Sequence, residues 1–495
     1  MLSKYFGKVK YEFSKFIDSR SWSLLWRRVS INMTYLRVLF ILSLITFNYN
    51  SLLDISVLNW KFFLLLLSAW ILIEYLIDKP FRKKDILTVL GIAGFYRLTL
   101  LYFNSHPTSE SFYAAPDSGI YRRLAKSLYD CFEYSMYCGE PPYFKRPPAY
   151  SAILSIFTFG GNLAPLLLII LQTLLIISIF YIVWVQLEIN YSNKYNFIPI
   201  IFACIAPVTW VFARIVLSDI WGVFFVTLAW YLSSKEQVKK YRNSPIWLIL
   251  LILSLLLQLQ YFSGVLLFYF KSIVKENNKE FRLKTILNIL LVLLVVFLWG
   301  NRATNYYGAW DFNPYIGCYI EKNIIEASEA KKYGMSIHEI RDIGKTYLLL
   351  EDDSIANQSI EPEVCESFLR ILPKYLIDNM SYVSDHYTEF IRNIFLDINT
   401  CQYKKINCES GYWLWLNTIS TTILFMAGLV IMVFNKSFDY YFDFLIYLFL
   451  FLFITIFVGV DAPRMRILFE PYFFFIFGLA IQKVFFTLGK ISNRE

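Results

Sequence analysis

Long apolar runs separated by short polar loops dominate the chain. Residues 163–186 and 441–459 each hold about twenty nearly uninterrupted apolar positions, the length a helix needs to cross a hydrocarbon core. Further runs lie near 34–48, 57–77, 86–103, 195–212, 216–233, 246–270, 284–300, 412–434 and 466–483. This pattern predicts an all-α polytopic membrane protein. Two polar stretches interrupt it, 104–162 and the longer 301–411, where 362–396 has helical periodicity on both sides of Pro373. Near the N-terminus Phe6, Val9, Phe13, Phe16 and Ile17 recur at helical spacing among lysines. That spacing predicts an amphipathic helix on an anionic membrane surface, the alternative being a loosely ordered basic tail. No apolar core of a signal peptide precedes it.

Charge placement orients these runs. The N-terminus and the loops 78–85, 234–243 and 271–284 are basic, and the C-terminal tail holds Lys483, Lys490 and Arg494. By the positive-inside rule all of them are cytoplasmic. A single span at 246–270 would put its two basic flanks on opposite sides. A hairpin of two short helices turning near Gln258–Gly264 removes the conflict and gives twelve crossings. The expected organisation is a cytoplasmic amphipathic segment 1–32, a transmembrane region 33–300 with the external loop 104–162, an external and mainly helical loop domain 301–411, and a second transmembrane region 412–495.

Composition narrows the class. The chain is 57% hydrophobic and 17% charged, so its net charge of +9 belongs to membrane-flanking loops and predicts no nucleic-acid partner. Six of the seven cysteines fall in external segments, and only Cys204 lies in a span. An even number on that face points to disulfides in an oxidising compartment. Proximity favours Cys131–Cys138 and Cys401–Cys408, leaving Cys318–Cys365, although six cysteines allow fifteen pairings. Zinc is less favoured, since no close Cys or His spacing accompanies them.

The polar residues expected on the external side are the candidates for chemistry. Asp117 begins a stretch in which Tyr121, Ala125 and Leu128 share one helical face while Arg122, Arg123 and Lys126 take the other. It is either a helix cap or a reactive carboxylate. Lys145 and Arg146 precede Pro147 and Pro148, which fix an extended entry into a short surface helix. The two cations either anchor the chain at headgroup depth or bind a phosphate. Asp219 stands at a span end and is either functional or paired with Arg214. Arg464, Arg466 and Glu470 open the last span, as anchors, an ion pair or ligands. His106, His338 and His386 show no ligand spacing, and no phosphate loop, zinc-protease or nucleophile-elbow motif is present.

In order along the chain, Asp117-x-x-x-Tyr121, Arg146-Pro-Pro-x-Tyr150, Ser218-Asp219, the stretch Leu298 to Trp310 and Arg464 to Pro471 resemble the C-type glycosyltransferase fold (GT-C). The nearest branches are the bacterial protein O-mannosyltransferase-like and lipid A aminoarabinose transferase-like enzymes. The hairpin departs from their Leu-Thr-Arg-Pro-like turn, reading LQLQYFSG, and the first two spans look like an addition. The resemblance implies a polyprenyl-phosphate sugar donor, an acceptor glycan, lipid or protein, and a site on the outer face of a bacterial plasma membrane. It implies Asp117 as catalytic base, Lys145, Arg146 and Arg464 as binders of the donor phosphate, and Tyr121 and Asp219 as groups orienting the acceptor or a divalent metal ion. A polysaccharide polymerase or ligase and a non-catalytic flippase or transporter of lipid-linked sugars are the alternatives.

Overall fold

The computed structural model describes residues 83–104, 116–143, 146–158, 164–190, 196–205, 216–234, 244–275, 279–307, 321–335, 362–396, 442–450 and 462–492, with 213, 237, 339 and 340. Among them the chain is all-α, with one isolated bridge between Ser135 and Pro142 and no strand. The helices are α1 (Lys83–Asn104), α2 (Pro116–Cys131), α3 (Ala149–Thr158), α4 (Ala164–Asn190), α5 (Phe197–Ile205), α6 (Asp219–Leu232), α7 (Ile246–Leu257), α8 (Leu259–Lys275) and α9 (Lys279–Tyr307). A π-helical turn at Glu321–Glu326 leads into α10 (Ala327–Tyr333), followed by α11 (Pro362–Asp378), α12 (Met380–Leu396) and α13 (Ala462–Ser492). The expected spans 34–48, 57–77 and 412–434 and the segment 1–32 lie outside the described residues.

α4, α6 and α13 form the centre. α4 packs against α1, α3, α5, α6 and α13, and α6 also packs against α7, α8 and α13. Apolar side chains line nearly every face of these helices, and most of each is buried, although α4 leaves Leu167 and Leu174 exposed. α4 and α9 contain the two described segments long and apolar enough to cross a membrane, Leu166–Ile189 and Leu283–Arg302. The two differ in setting, since α9 leaves Leu283, Leu287, Leu290, Leu294 and Leu298 exposed.

The hairpin expected within 246–270 is present, and it turns at the first of the candidate positions. Gln258 is extended, at φ −166° and ψ 147°, between α7 and α8. Trp247 and Tyr269 each lie eleven residues from Gln258, yet their ring centroids are 5.1 Å apart. Collinear helices would hold them about 33 Å apart, so the chain folds back on itself. One end of the bundle therefore gathers Tyr121, Ser218 and Gln258 through hydrogen bonds. About 18–20 Å along α6 and α8, Lys271 forms a buried ion pair with Asp443, which also accepts a hydrogen bond from the Trp230 indole at 3.1 Å.

The 321–396 helices form a smaller cluster around Ile324, Tyr375 and Val383. The Tyr375 hydroxyl donates to Glu329 at 2.7 Å, and Lys331 pairs with Glu389. The helical periodicity expected on both sides of Pro373 is present, with Pro373 exposed inside α11 and a turn at Asn379 before α12. On an exposed face water satisfies the carbonyl that the proline ring leaves without a partner. α12 packs against α13, joining this cluster to the main bundle.

Candidate functional site

The site is built where four separate segments meet. α2 presents an apolar face of Tyr121, Leu124 and Ala125 to α3, while Arg122, Arg123 and Lys126 stay exposed. The Tyr121 and Tyr150 rings meet edge to face with centroids 4.9 Å apart, and both side chains are fully buried. This contact fixes the Asp117-x-x-x-Tyr121 and Arg146-Pro-Pro-x-Tyr150 motifs against each other.

Ser218 precedes α6 at the capping position, but its hydroxyl makes no capping bond to the helix. It turns inward, where the Gln258 side-chain amide donates to it at 2.8 Å and to the Tyr121 hydroxyl at 3.3 Å. Tyr121 and Ser218 are themselves 3.4 Å apart. Asp219, 2% exposed, accepts a 2.6 Å hydrogen bond from the Tyr261 hydroxyl. Such a bond to a carboxylate is among the stronger neutral-donor contacts a protein makes. Gly222 makes that geometry possible, because a Cβ there would lie 2.3 Å from two ring carbons of Tyr261. The phenol ring lies flat across the helix at the one residue without a side chain.

A second layer covers the first. The Tyr134 hydroxyl donates to the backbone carbonyls of Arg146 at 2.9 Å and Pro147 at 3.0 Å, holding the extended entry to α3. Burial raises the Tyr134 phenol well above its usual range, so it remains a donor; the nearby Tyr121 adds to the rise and Arg302 opposes it. Arg302 stacks its guanidinium 3.6 Å above the Trp299 ring and donates to the Tyr143 carbonyl at 2.8 Å. Arg302, within the Leu298 to Trp310 motif, thereby joins the loop that leads to Arg146. The Cys131–Cys138 disulfide closes that loop, as sequence proximity suggests.

The candidate residues are thus partly assembled. Tyr121 and Asp219 sit in the buried network, and Arg146 is half-buried at the edge with its carbonyl held by Tyr134. Asp117 is the second residue of α2, one turn before Tyr121 and at a position on the same face. Arg464 falls in the first turn of α13. The side chains of Asp117 and Arg464, the whole of Lys145 and Arg214, and the pairings Cys401–Cys408 and Cys318–Cys365 lie outside the described residues. Among the described residues no cluster of three or more His, Cys, Asp or Glu side chains could hold a metal ion.

Gln258, Tyr261 and Gly222 carry the network, and no motif named them. The signal was present, because Gln258 and Gln260 are amides inside an otherwise apolar hairpin. Such groups need buried partners, and here the partners are motif residues of other helices. No protein family matches the chain, and no curated protein or solved structure does.

Proposed function

We propose that the chain is a membrane glycosyltransferase. It moves a sugar from a polyprenyl-phosphate donor to an acceptor glycan, lipid or protein on the non-cytoplasmic side of a bacterial plasma membrane. The observation that carries this reading is the meeting of Tyr121, Tyr150, Ser218 and Asp219, which belong to three separate motifs, around the hairpin turn at Gln258. The membrane reading rests also on α9, whose exposed leucines would be an aggregation surface in water and are ordinary facing lipid. Twelve crossings with cytoplasmic termini place the Tyr121 end of the bundle outside and the Lys271–Asp443 end inside. The observed grouping of residues supports this division, because each end gathers only segments assigned to one side.

The reaction follows from these groups. An acceptor hydroxyl or amine attacks the sugar C1, the bond from C1 to the phosphate oxygen breaks, and the configuration inverts. Asp117 takes the acceptor proton. Lys145, Arg146 and Arg464 stabilise the charge developing on the polyprenyl phosphate that leaves. Tyr121 and Asp219 orient the acceptor from a network too buried and too bonded to shift. No step is assigned to a metal ion. The test is to incubate purified protein in lipid nanodiscs with polyprenyl-phosphate sugars and follow release of polyprenyl phosphate. Release that depends on an added acceptor supports transfer. Extension of an oligosaccharide donor points to a polymerase, and movement of intact donor across vesicles points to a flippase.

A further inference from the structure

The loop closed by Cys131–Cys138 spends stability on a residue that contributes nothing to the protein's own core. Phe132 follows α2 with φ at +60°, a conformation that glycine adopts freely and a bulky side chain does not. Its backbone N–H bonds the Leu128 carbonyl, so the position serves as a helix cap where glycine would be the unstrained choice. The side chain is 91% exposed. Tyr137 and Tyr129 stand near it in sequence, also exposed. The loop beneath is rigid. Besides the disulfide, Ser127 bonds Ser135 at 2.9 Å, the Gly139 N–H donates to Glu133 at 2.7 Å, and the Tyr143 N–H donates to the Tyr134 carbonyl at 2.7 Å.

The position of the loop identifies what it meets. Tyr134, two residues from Phe132, packs edge to face on Trp299 with centroids 5.9 Å apart. Trp299 and Arg302 close the apolar segment Leu283–Arg302 of α9, the helix whose leucines are exposed. A tryptophan and an arginine ending a lipid-facing span mark headgroup depth. On the membrane reading the disulfide loop is therefore level with the interface, joined through Tyr134 to the helix whose exposed leucines would face lipid. Over residues 122–140, the end of α2 and the loop together, the charges balance, with Arg122, Arg123 and Lys126 offset by Asp130, Glu133 and Glu140. That mixture suits the headgroup zone better than an acidic polymer, which would favour net positive charge.

We infer that the Cys131–Cys138 loop is a rigid lipid-binding finger, with Phe132 inserted among the acyl chains of the outer leaflet and Tyr129 and Tyr137 at headgroup level. It holds the end of α2, and with it the Asp117 turn, at fixed height above the bilayer. The inference rests on the membrane reading above and not on the sugar chemistry.

The test places the photo-crosslinker p-benzoylphenylalanine at position 132 in the full chain, reconstituted in nanodiscs of phosphatidylethanolamine and phosphatidylglycerol. Lys374, exposed in the 321–396 helices, is the control position. An exposed ring takes few contacts from the fold when replaced. After irradiation, intact-protein mass spectrometry is expected to find a lipid-mass adduct at least about tenfold more abundant for position 132 than for 374. Equal adducts at both positions, no adduct at 132 in a protein that elutes as folded, or an adduct to a second protein chain would overturn the inference. Each of these outcomes leaves donor turnover to be measured separately in the same sample.

Discussion

Gly222 and Tyr261 should behave as one unit, and a double-mutant cycle measures it. Tyr261→Phe keeps the ring and removes the hydroxyl that donates to the buried Asp219. Loss of a hydrogen bond to a charged group costs about 1.5–3 kcal/mol. Gly222→Ala puts a methyl 2.3 Å from two carbons of a ring that is itself 2% exposed. Overpacking of this kind costs about 1–3 kcal/mol, from which the better helix propensity of alanine removes about 0.5–1 kcal/mol. Displacing the ring also pulls its hydroxyl from Asp219, so both changes break the same bond. The double variant should fall short of the summed losses by about 1–2 kcal/mol. Stability is read by denaturation in mixed micelles, with reversibility checked for all four proteins. Strict additivity, or a silent Tyr261→Phe, would refute the arrangement in which Gly222 seats the ring.

Non-reducing peptide mapping should find Cys131 linked to Cys138, and removing this short bridge should cost about 2–3 kcal/mol. Lys271→Met or Asp443→Asn leaves a buried partner uncompensated and should cost about 3–5 kcal/mol, while replacing both by apolar residues should recover much of the loss; a double variant losing the sum of the two single losses would show that the pair does not interact. A reporter inserted at residue 275 should read cytoplasmic and one at residue 350 external, whereas an external signal at 275 would remove the assigned orientation of the hairpin.

The helical bundle was legible because a long apolar helix is written as plain length in the sequence. The apolar run at 163–186 became α4, Ala164–Asn190, with its ends shifted by a few residues. The hairpin was legible from charge, since basic flanks on both sides of 246–270 demand a reversal. Its turn was narrowed to Gln258–Gly264 and falls at Gln258, an extended residue that needs no proline or glycine when its amide is bonded across the bundle. The periodicity on both sides of Pro373 is likewise present, since a proline on an exposed face can stay inside a helix. In the site, the amphipathic face of α2 predicted the burial of Tyr121, and motif order brought forward Ser218 and Asp219. Asp219 also has a donor that no local spacing suggests, Tyr261, forty-two residues away, while the alternative pairing with Arg214 lies outside the described residues. Such pairings depend on how helices meet, which local spacing does not encode.

The central claim is that Asp117 is the base for transfer from a lipid-linked donor. It is tested most directly by measuring acceptor-dependent release of polyprenyl phosphate by the Asp117→Asn protein beside the unsubstituted chain. Asparagine keeps the shape and the ability to bond a helix N-terminus, and removes only the proton acceptor. The account predicts a fall of about 10²–10⁴-fold in transfer, with yield and thermal stability unchanged. Near-normal transfer by a well-folded Asp117→Asn protein would contradict it, and Asp219 would then be the carboxylate to test.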